Sequence, residues 1–226
     1  KHAVAVNSAT AGLHLALDAV GLKAGEVALT VPITFAATAE VIRYFDADID
    51  LIDVLNSDAT MDPALLKQYL SDRCELKDGV CYRKADGKRV RAVLPVHFAG
   101  LVCDMDPINE LAAKYNLAVI EDAAHSFTAW YKGRQVGRLS PLTVFSFYAT
   151  KTITTGEGGT VLTNDDKLAE RIRLMRSHGI ERRIDLLSRN DGPWYHEMTD
   201  LSYNCRITDF QCALGKSQLK KLQFFK

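Results

Sequence analysis

Lys151 lies in Phe145-Ser-Phe-Tyr-Ala-Thr-Lys-Thr-Ile-Thr-Thr-Gly-Glu-Gly-Gly159, directly after an apolar strand-like run and before a glycine-rich turn. A lysine is costly to bury unless its ammonium is paired or neutralised. Commitment to a covalent bond with an aldehyde removes that cost, and the apolar and hydroxyl neighbours fit this better than a surface loop. Gly158 and Gly159 are expected to allow positive φ and close backbone approach. A second junction is Val119-Ile-Glu-Asp-Ala-Ala-His125, where an apolar strand delivers Asp122 at its end and His125 three residues later. A carboxylate so placed can pair with a protonated ring nitrogen, or it can simply cap a following helix. His125 alone reads as a structural histidine. The third junction, Asn7-Ser-Ala-Thr-Ala-Gly12, opens a helix with small and hydroxyl residues. Free amides and the positive end of the helix dipole suit a phosphate there, although an ordinary cap is the plainer reading of that segment alone.

The order phosphate turn, acid, lysine is what pyridoxal phosphate requires. It needs an anion site, a partner for its pyridine nitrogen and an amine for its aldehyde. Asp122 would keep the nitrogen protonated, so that the ring acts as an electron sink. The Lys151 amine, once released, would serve as the base that moves a proton between substrate carbon and cofactor carbon.

These junctions need elements that place them together. The 226-residue chain is 47% hydrophobic, enough to bury a full core. Ser8 is expected to cap a helix from Ala9 to Val20, apolar nearly all round and hence buried. Strands are expected at 27–31, 49–54, 92–96, 117–121, 142–147 and 160–163, with helices over 35–44, from Pro63 to about Leu70, through Met105, Ile108, Leu111, Ala112 and Tyr115, and through Leu168, Ile172 and Met175. Asp78-Gly79 and Asp86-Gly87 flank Val80–Arg83 and mark an inserted hairpin at about 74–91. Strands alternating with helices predict an α/β fold, three layers around a mainly parallel sheet, in a single domain over 1–226. In such sheets ligands bind at the carboxyl ends of the strands, where all three junctions fall.

Lys+Arg and Asp+Glu are both 28, so no net field recruits nucleic acid or an acidic membrane. The basic clusters at 84–91 and 171–183 read as solvated faces. Five cysteines, Cys74, Cys81, Cys103, Cys205 and Cys212, without a C-x-x-C pair suggest neither a disulfide framework nor a zinc site. Cys74 and Cys81 can meet across a turn, with reduced cytosolic thiols the default. No apolar run approaches a membrane span, and a cytoplasmic location is expected. The chain starts without Met and ends inside an amphipathic pattern (Leu214, Leu219, Leu222, Phe225), and reads as the middle of a longer protein.

With these residues in place, the sequence resembles the DegT-type nucleotide-sugar aminotransferases, fold-type-I pyridoxal phosphate enzymes. The motifs Asn7-Ser-Ala-Thr-Ala, Pro32-Ile-Thr-Phe-Ala-Ala-Thr38, Glu121-Asp-Ala-Ala-His125 and Ser146-Phe-Tyr-Ala-Thr-Lys151 carry the resemblance over essentially the whole chain. It implies the family's large cofactor-binding domain, with an N-terminal arm and a small C-terminal domain outside this chain. It further implies Lys151 as the Schiff-base lysine and Asp122 as the pyridinium partner. His125 would sit by the phenolic oxygen and Phe35 would stack on the ring. Ala9, Thr10 and Ser146 would hold the phosphate. Asn204, in Asp200-Leu-Ser-Tyr-Asn-Cys-Arg206, would reach the cofactor of the neighbouring subunit in a homodimer. Arg176-Ser-His-Gly-Ile180, Asp191-Gly-Pro-Trp-Tyr195, Ile207-Thr-Asp-Phe-Gln-Cys-Ala-Leu-Gly-Lys-Ser-Gln-Leu219 and the 74–91 insertion are similar to the aminotransferases of pseudaminic acid biosynthesis. That similarity implies amino transfer from L-glutamate to the C4 ketone of a UDP-linked 4-keto-6-deoxy-hexosamine. His178, Trp194 and Tyr195 stand as sugar-pocket candidates, with core packing the competing reading for the two rings. Two alternatives remain. A sugar dehydratase of the same fold replaces the lysine by histidine, which Lys151 argues against. A non-catalytic cofactor-binding regulator is disfavoured by retention of Lys151, Asp122 and the phosphate turn together.

Overall fold

The computed structural model describes residues 1–225. The chain opens with β1 (His2–Val6), α1 (Ala9–Ala19), β2 (Val27–Thr30), α2 (Ala36–Arg43) and β3 (Asp48–Leu51). It continues with α3 (Pro63–Arg73), the hairpin strands β4 (Cys74–Lys77) and β5 (Val80–Arg83), β6 (Val90–Val93), α4 (Met105–Tyr115) and β7 (Ala118–Asp122). A small ribbon, β8 (Trp130–Tyr131) and β9 (Arg134–Gln135), precedes β10 (Leu142–Ser146), β11 (Gly159–Thr163) and α5 (Asp166–Met175). A second ribbon, β12 (Ile180–Glu181) and β13 (Glu197–Met198), and the helices α6 (Asp209–Lys220) and α7 (Leu222–Phe225) complete it.

Seven strands form one sheet in the order β1-β11-β10-β7-β6-β2-β3. Only β11 runs against its neighbours, and the pairs from β10 to β3 are parallel. Strands buried on both faces alternate between two cores. Val27 and Leu29 of β2 and Val119 of β7 face the core shared with α3 and α4. Ala28 and Ile120 face the core shared with α1, α2 and α5. The fold is therefore α/β, three layers around a mainly parallel sheet. Leu13, Leu15 and Leu17 of α1 are at most 1% exposed, and each contributes roughly 1.5–3 kcal/mol by burial. Contact on both sides, with the sheet and with α2 and α5, is why this helix has no polar stripe.

Several strands are shorter at their carboxyl ends than the apolar pattern predicts. β3 stops at Leu51, and Val54 makes only an isolated bridge to Met61. β6 stops at Val93, and Val96 bridges Asp122 beyond it. Beyond β6 the backbone leaves the ladder, and Val96 and His97 border a cavity.

The hairpin turns through Asp78 (φ 50°) and Gly79 (φ 75°), the consecutive left-handed residues of a two-residue turn. Its charges are not a solvated face. Arg83 reaches Asp48 Oδ2 at 2.6 Å and Asp50 Oδ1 at 2.9 Å on the edge strand β3, and Asp86 Oδ2 at 2.6 Å. Lys88 adds a 2.7 Å contact to Asp48, and Arg91 makes a two-pronged pair with Glu26. In the second basic cluster Arg171 bridges Asp18 and Asp200, both at 2.7 Å. The five cysteines are free. No helix among the described residues is long and apolar enough to cross a membrane.

Candidate active site

The carboxyl ends of the parallel strands surround a cavity of about 560 Å³, within the size range of small-molecule sites. Ala9, Thr10, Phe35, Asp122, His125, Ser146 and Lys151 all line it. The cavity thus gathers seven of the eight candidate site residues from four separate segments.

Asp122 ends β7 and is held as part of the ladder. Its N–H donates to Pro95 O at 2.9 Å and its carbonyl accepts from His97 N at 3.0 Å. The side chain is 6% exposed. Oδ2 accepts from Thr38 Oγ1 at 2.7 Å and Oδ1 from Ala124 N at 3.1 Å. No helix follows, so the capping alternative becomes an Asx turn. Each oxygen keeps lone-pair capacity for a further donor.

Lys151 follows β10 in a loop pinned back on that strand. Phe147 N donates to Gly158 O and Thr155 N to Phe147 O, while Lys151 N closes a turn onto Tyr148 O at 3.0 Å. Burial holds the Lys151 amine below the ordinary lysine range, against the opposing pull of Asp122. His125 is also held below its ordinary value, first by burial and then by the Lys151 charge, with Asp122 opposing.

Ser8 caps α1, its Oγ accepting from Ala11 N at 3.0 Å. The Ala9 and Thr10 amides belong to the first turn, which has no intrahelical acceptor for them, and both residues border the cavity. The glycines after Lys151 act differently from the sequence reading. Neither Gly158 nor Gly159 has positive φ, which falls instead at Gly156 (φ 78°). Gly159 serves close approach: a Cβ there would lie 2.8 Å from Ala9 N and 2.9 Å from Phe145 O. Ser146, 6% exposed, ends β10 beside this helix start. Phe35 occupies the N-cap position of α2 and is 79% exposed, its ring free to cover a ligand.

Asn204 is the exception. It bridges Ser177 on the exposed surface, its carbonyl accepting from Asn7 Nδ2 and its Oδ1 from Arg206 N, both at 3.3 Å. It does not line the cavity. Nor do His178, Trp194 and Tyr195. His178 borders an arginine-rich groove with φ 62°, and Trp194 is 73% exposed, so core packing does not explain that ring.

The sequence reading missed two groups. Thr38 is fully buried on the Asp122 carboxylate, and its hydroxyl lies 2.8 Å from that of Thr34, a cavity residue. The i,i+4 threonine pair in Pro32-Ile-Thr-Phe-Ala-Ala-Thr38 was the available signal. His97, also lining the cavity, contacts Glu121 Oε2 at 2.8 Å through Nε2, and Thr143 donates to Glu121 Oε1 at 2.8 Å. Cys103 N donates to His97 Nδ1, so the ring proton sits on Nε2 and points at the carboxylate. Glu121 and His97 are at most 1% exposed, and they cross-link the ends of β6, β7 and β10 below the cavity.

An acceptor carboxylate with spare lone pairs, an amine biased toward its neutral form and a helix N-terminus with open amides suit pyridoxal phosphate. No group of three or more potential metal ligands occurs among the described residues.

The sequence profile of the DegT/DnrJ/EryC1/StrS aminotransferase family matches residues 1–226. The chain is 40% identical over 222 residues to the spore coat polysaccharide biosynthesis protein SpsC of Bacillus subtilis, covering 98% of this chain and 53% of that protein. It is 40% identical over 223 residues to the UDP-4-amino-4,6-dideoxy-N-acetyl-beta-L-altrosamine transaminase of Campylobacter jejuni, again covering 98% and 53%. Among solved structures it is similar to PseC of Helicobacter pylori, an aminotransferase involved in pseudaminic acid biosynthesis. The TM-score is 0.81 and the identity 31%, over 99% of this chain and 54% of that one. DesV of S. venezuelae, solved in complex with a ketimine intermediate, gives the same TM-score and identity over 99% and 53%. The chain spans about half the length of the curated relatives it matches. The profile match over every residue, together with these similarities, shows that the chain belongs to the DegT/DnrJ/EryC1/StrS aminotransferase family.

Proposed function

We propose that this chain is the pyridoxal phosphate-binding part of a cytoplasmic nucleotide-sugar aminotransferase, which moves the amino group of L-glutamate to the C4 ketone of a UDP-linked 4-keto-6-deoxy-hexosamine. The reading is carried by one observation: Lys151, Asp122 and the amide end of α1 border a single cavity. When bound, the cofactor supplies a protonated ring that stabilises negative charge on an attached carbon.

The protein's own groups have separable tasks. Lys151 Nζ would hold the cofactor through its aldehyde and would serve as the base for the substrate proton, its lowered proton affinity keeping more of it in the basic form. Asp122 would accept the ring N–H. The amides of Ala9 and Thr10 and the Ser146 hydroxyl bind phosphate, favoured by the dipole of α1. Phe35 would cover one face of the ring and shield it from water. His125, biased neutral, would be a hydrogen-bonding partner for the ring's phenolic oxygen. Asn204 lies outside the cavity on an exposed segment, which suits a residue that reaches the site of a second subunit. The similarity to PseC and the altrosamine transaminase supports the UDP-sugar class and a product for pseudaminic acid or a related surface glycan.

The test is to add L-glutamate to the full-length, cofactor-loaded protein. The absorption band of the lysine-linked cofactor should bleach, and UDP-4-keto sugars of one C5 configuration should restore it. An unchanged band removes the aminotransferase reading and leaves a regulator.

A further inference from the structure

The Asp122 carboxylate is the end of a hydrogen-bonded chain that no motif reading supplies. Thr38 Oγ1 lies 2.7 Å from Asp122 Oδ2 and 2.8 Å from Thr34 Oγ1. Thr38 is fully buried, whereas Thr34 is half-buried and borders the cavity. A hydroxyl has one proton to donate, and an ionised carboxylate has none. The Thr38 proton is then committed to Oδ2, so its oxygen accepts the Thr34 proton. Both hydroxyls point toward Asp122. A protonated carboxyl donating to Thr38 would force the reverse order and turn the Thr34 proton toward the cavity. The Ala124 amide meanwhile holds Oδ1 at 3.1 Å. With a donor on each oxygen, the carboxyl plane has a fixed orientation. Thr34 and Thr38 also flank Phe35 at the start of α2, so one element aims the ring-covering aromatic and fixes the carboxylate.

We propose that Thr38, backed by Thr34, is a positioning residue that holds Asp122 as a proton acceptor aimed at the ring nitrogen of the cofactor, so that the shared proton stays on the nitrogen. The inference rests on the cavity being a pyridoxal phosphate site. Loss of one charge-assisted hydrogen bond should lower turnover by roughly 10- to 100-fold.

The experiment is ¹⁵N NMR of the full-length protein loaded with ring-¹⁵N pyridoxal phosphate, with glutamate half-reaction kinetics alongside. The wild type should show a protonated ring nitrogen. Thr38→Val, which keeps the shape and removes the hydroxyl, should move the signal toward the unprotonated position and lower kcat with little change in KM for glutamate. Thr38→Ser should restore the wild-type signal, and Thr34→Val should shift it in the same direction by less. A protonated wild type with an unchanged Thr38→Val signal overturns the relay alone, even if that variant is less stable. A wild type that takes no cofactor overturns both the relay and the functional reading. If Thr38→Val does not fold, the half-buried Thr34 decides: a shifted signal in Thr34→Val supports the relay and an unchanged one overturns it.

Discussion

His125 senses the charge of Lys151, and both residues sense Asp122. The signs give two linked expectations. Lys151→Ala removes a positive charge that depresses His125, so the imidazole midpoint followed by NMR in the cofactor-free protein should rise toward 6.5. A midpoint that stays in place would separate the two residues. Asp122→Asn removes the charge that raises Lys151, so the Lys151 midpoint should fall further. Reductive methylation at Lys151 as a function of pH, read by mass spectrometry, checks this. The linkage follows the same sign. The folded state releases this proton more readily than the unfolded chain, so the group's contribution to stability rises with pH between its folded midpoint and 10.5. Lys151 and Asp122 were legible in the sequence because Asp122 ends an apolar strand and Lys151 lies in the loop that follows another, and the loops at strand ends are where such folds bind ligands. The role of Thr38 was not, because the local threonine pair with Thr34 does not say which carboxylate it meets, and the contact with Asp122 spans 84 residues.

At the scale of elements, the start of α1 and the start of β11 touch backbone to backbone at Gly159. Gly159→Ala would place a methyl 2.8 Å from Ala9 N, Ser8 C nearby, and 2.9 Å from Phe145 O. These are backbone atoms that cannot swing aside. Overpacking should cost about 1–3 kcal/mol, seen as a lower denaturation midpoint, and should also weaken cofactor retention by displacing the Ala9 and Thr10 amides. A variant with normal stability and normal retention would contradict that packing. The hairpin is attached by charge. Asp86 is held near a value of about 2, chiefly by its hydrogen bonds to Arg83, and Asp48 is held low by Lys88 and Arg83. Depressed carboxylates stabilise above their unfolded values and lose that contribution as pH falls through the folded ones. Hydrogen exchange of the β4 and β5 amides should therefore accelerate between about pH 4 and pH 2 more than exchange in β7. The turn residues made the hairpin legible. Its attachment was not, because Arg83 meets partners 33 and 35 residues away.

At the scale of the molecule, the region after α5 differs from the sheet layers. No residue of α6 is buried, and Phe210 and Leu201 are 90% and 89% exposed. Exposed apolar side chains beside Asn204 suit the proposed homodimer. If Asn204 serves the partner's cofactor, hybrids of Lys151→Ala and Asn204→Ala subunits should regain activity that neither variant has alone, because one site of the two is then intact. Mixing that restores nothing would confine Asn204 to its own surface turn.

The sequence by itself determined the α/β order and the strand ends that carry Lys151, Asp122, Ser146 and the α1 turn. Those features are written in runs of apolar residues and in the residues that break them. The tertiary structure decided what stands behind them: Thr34 and Thr38 on the carboxylate, His97 and Glu121 beneath it, and Gly159 against the helix start. Each depends on strands that are neighbours in the sheet without being neighbours in the chain, and their pairing is set by packing across both cores rather than by any local period.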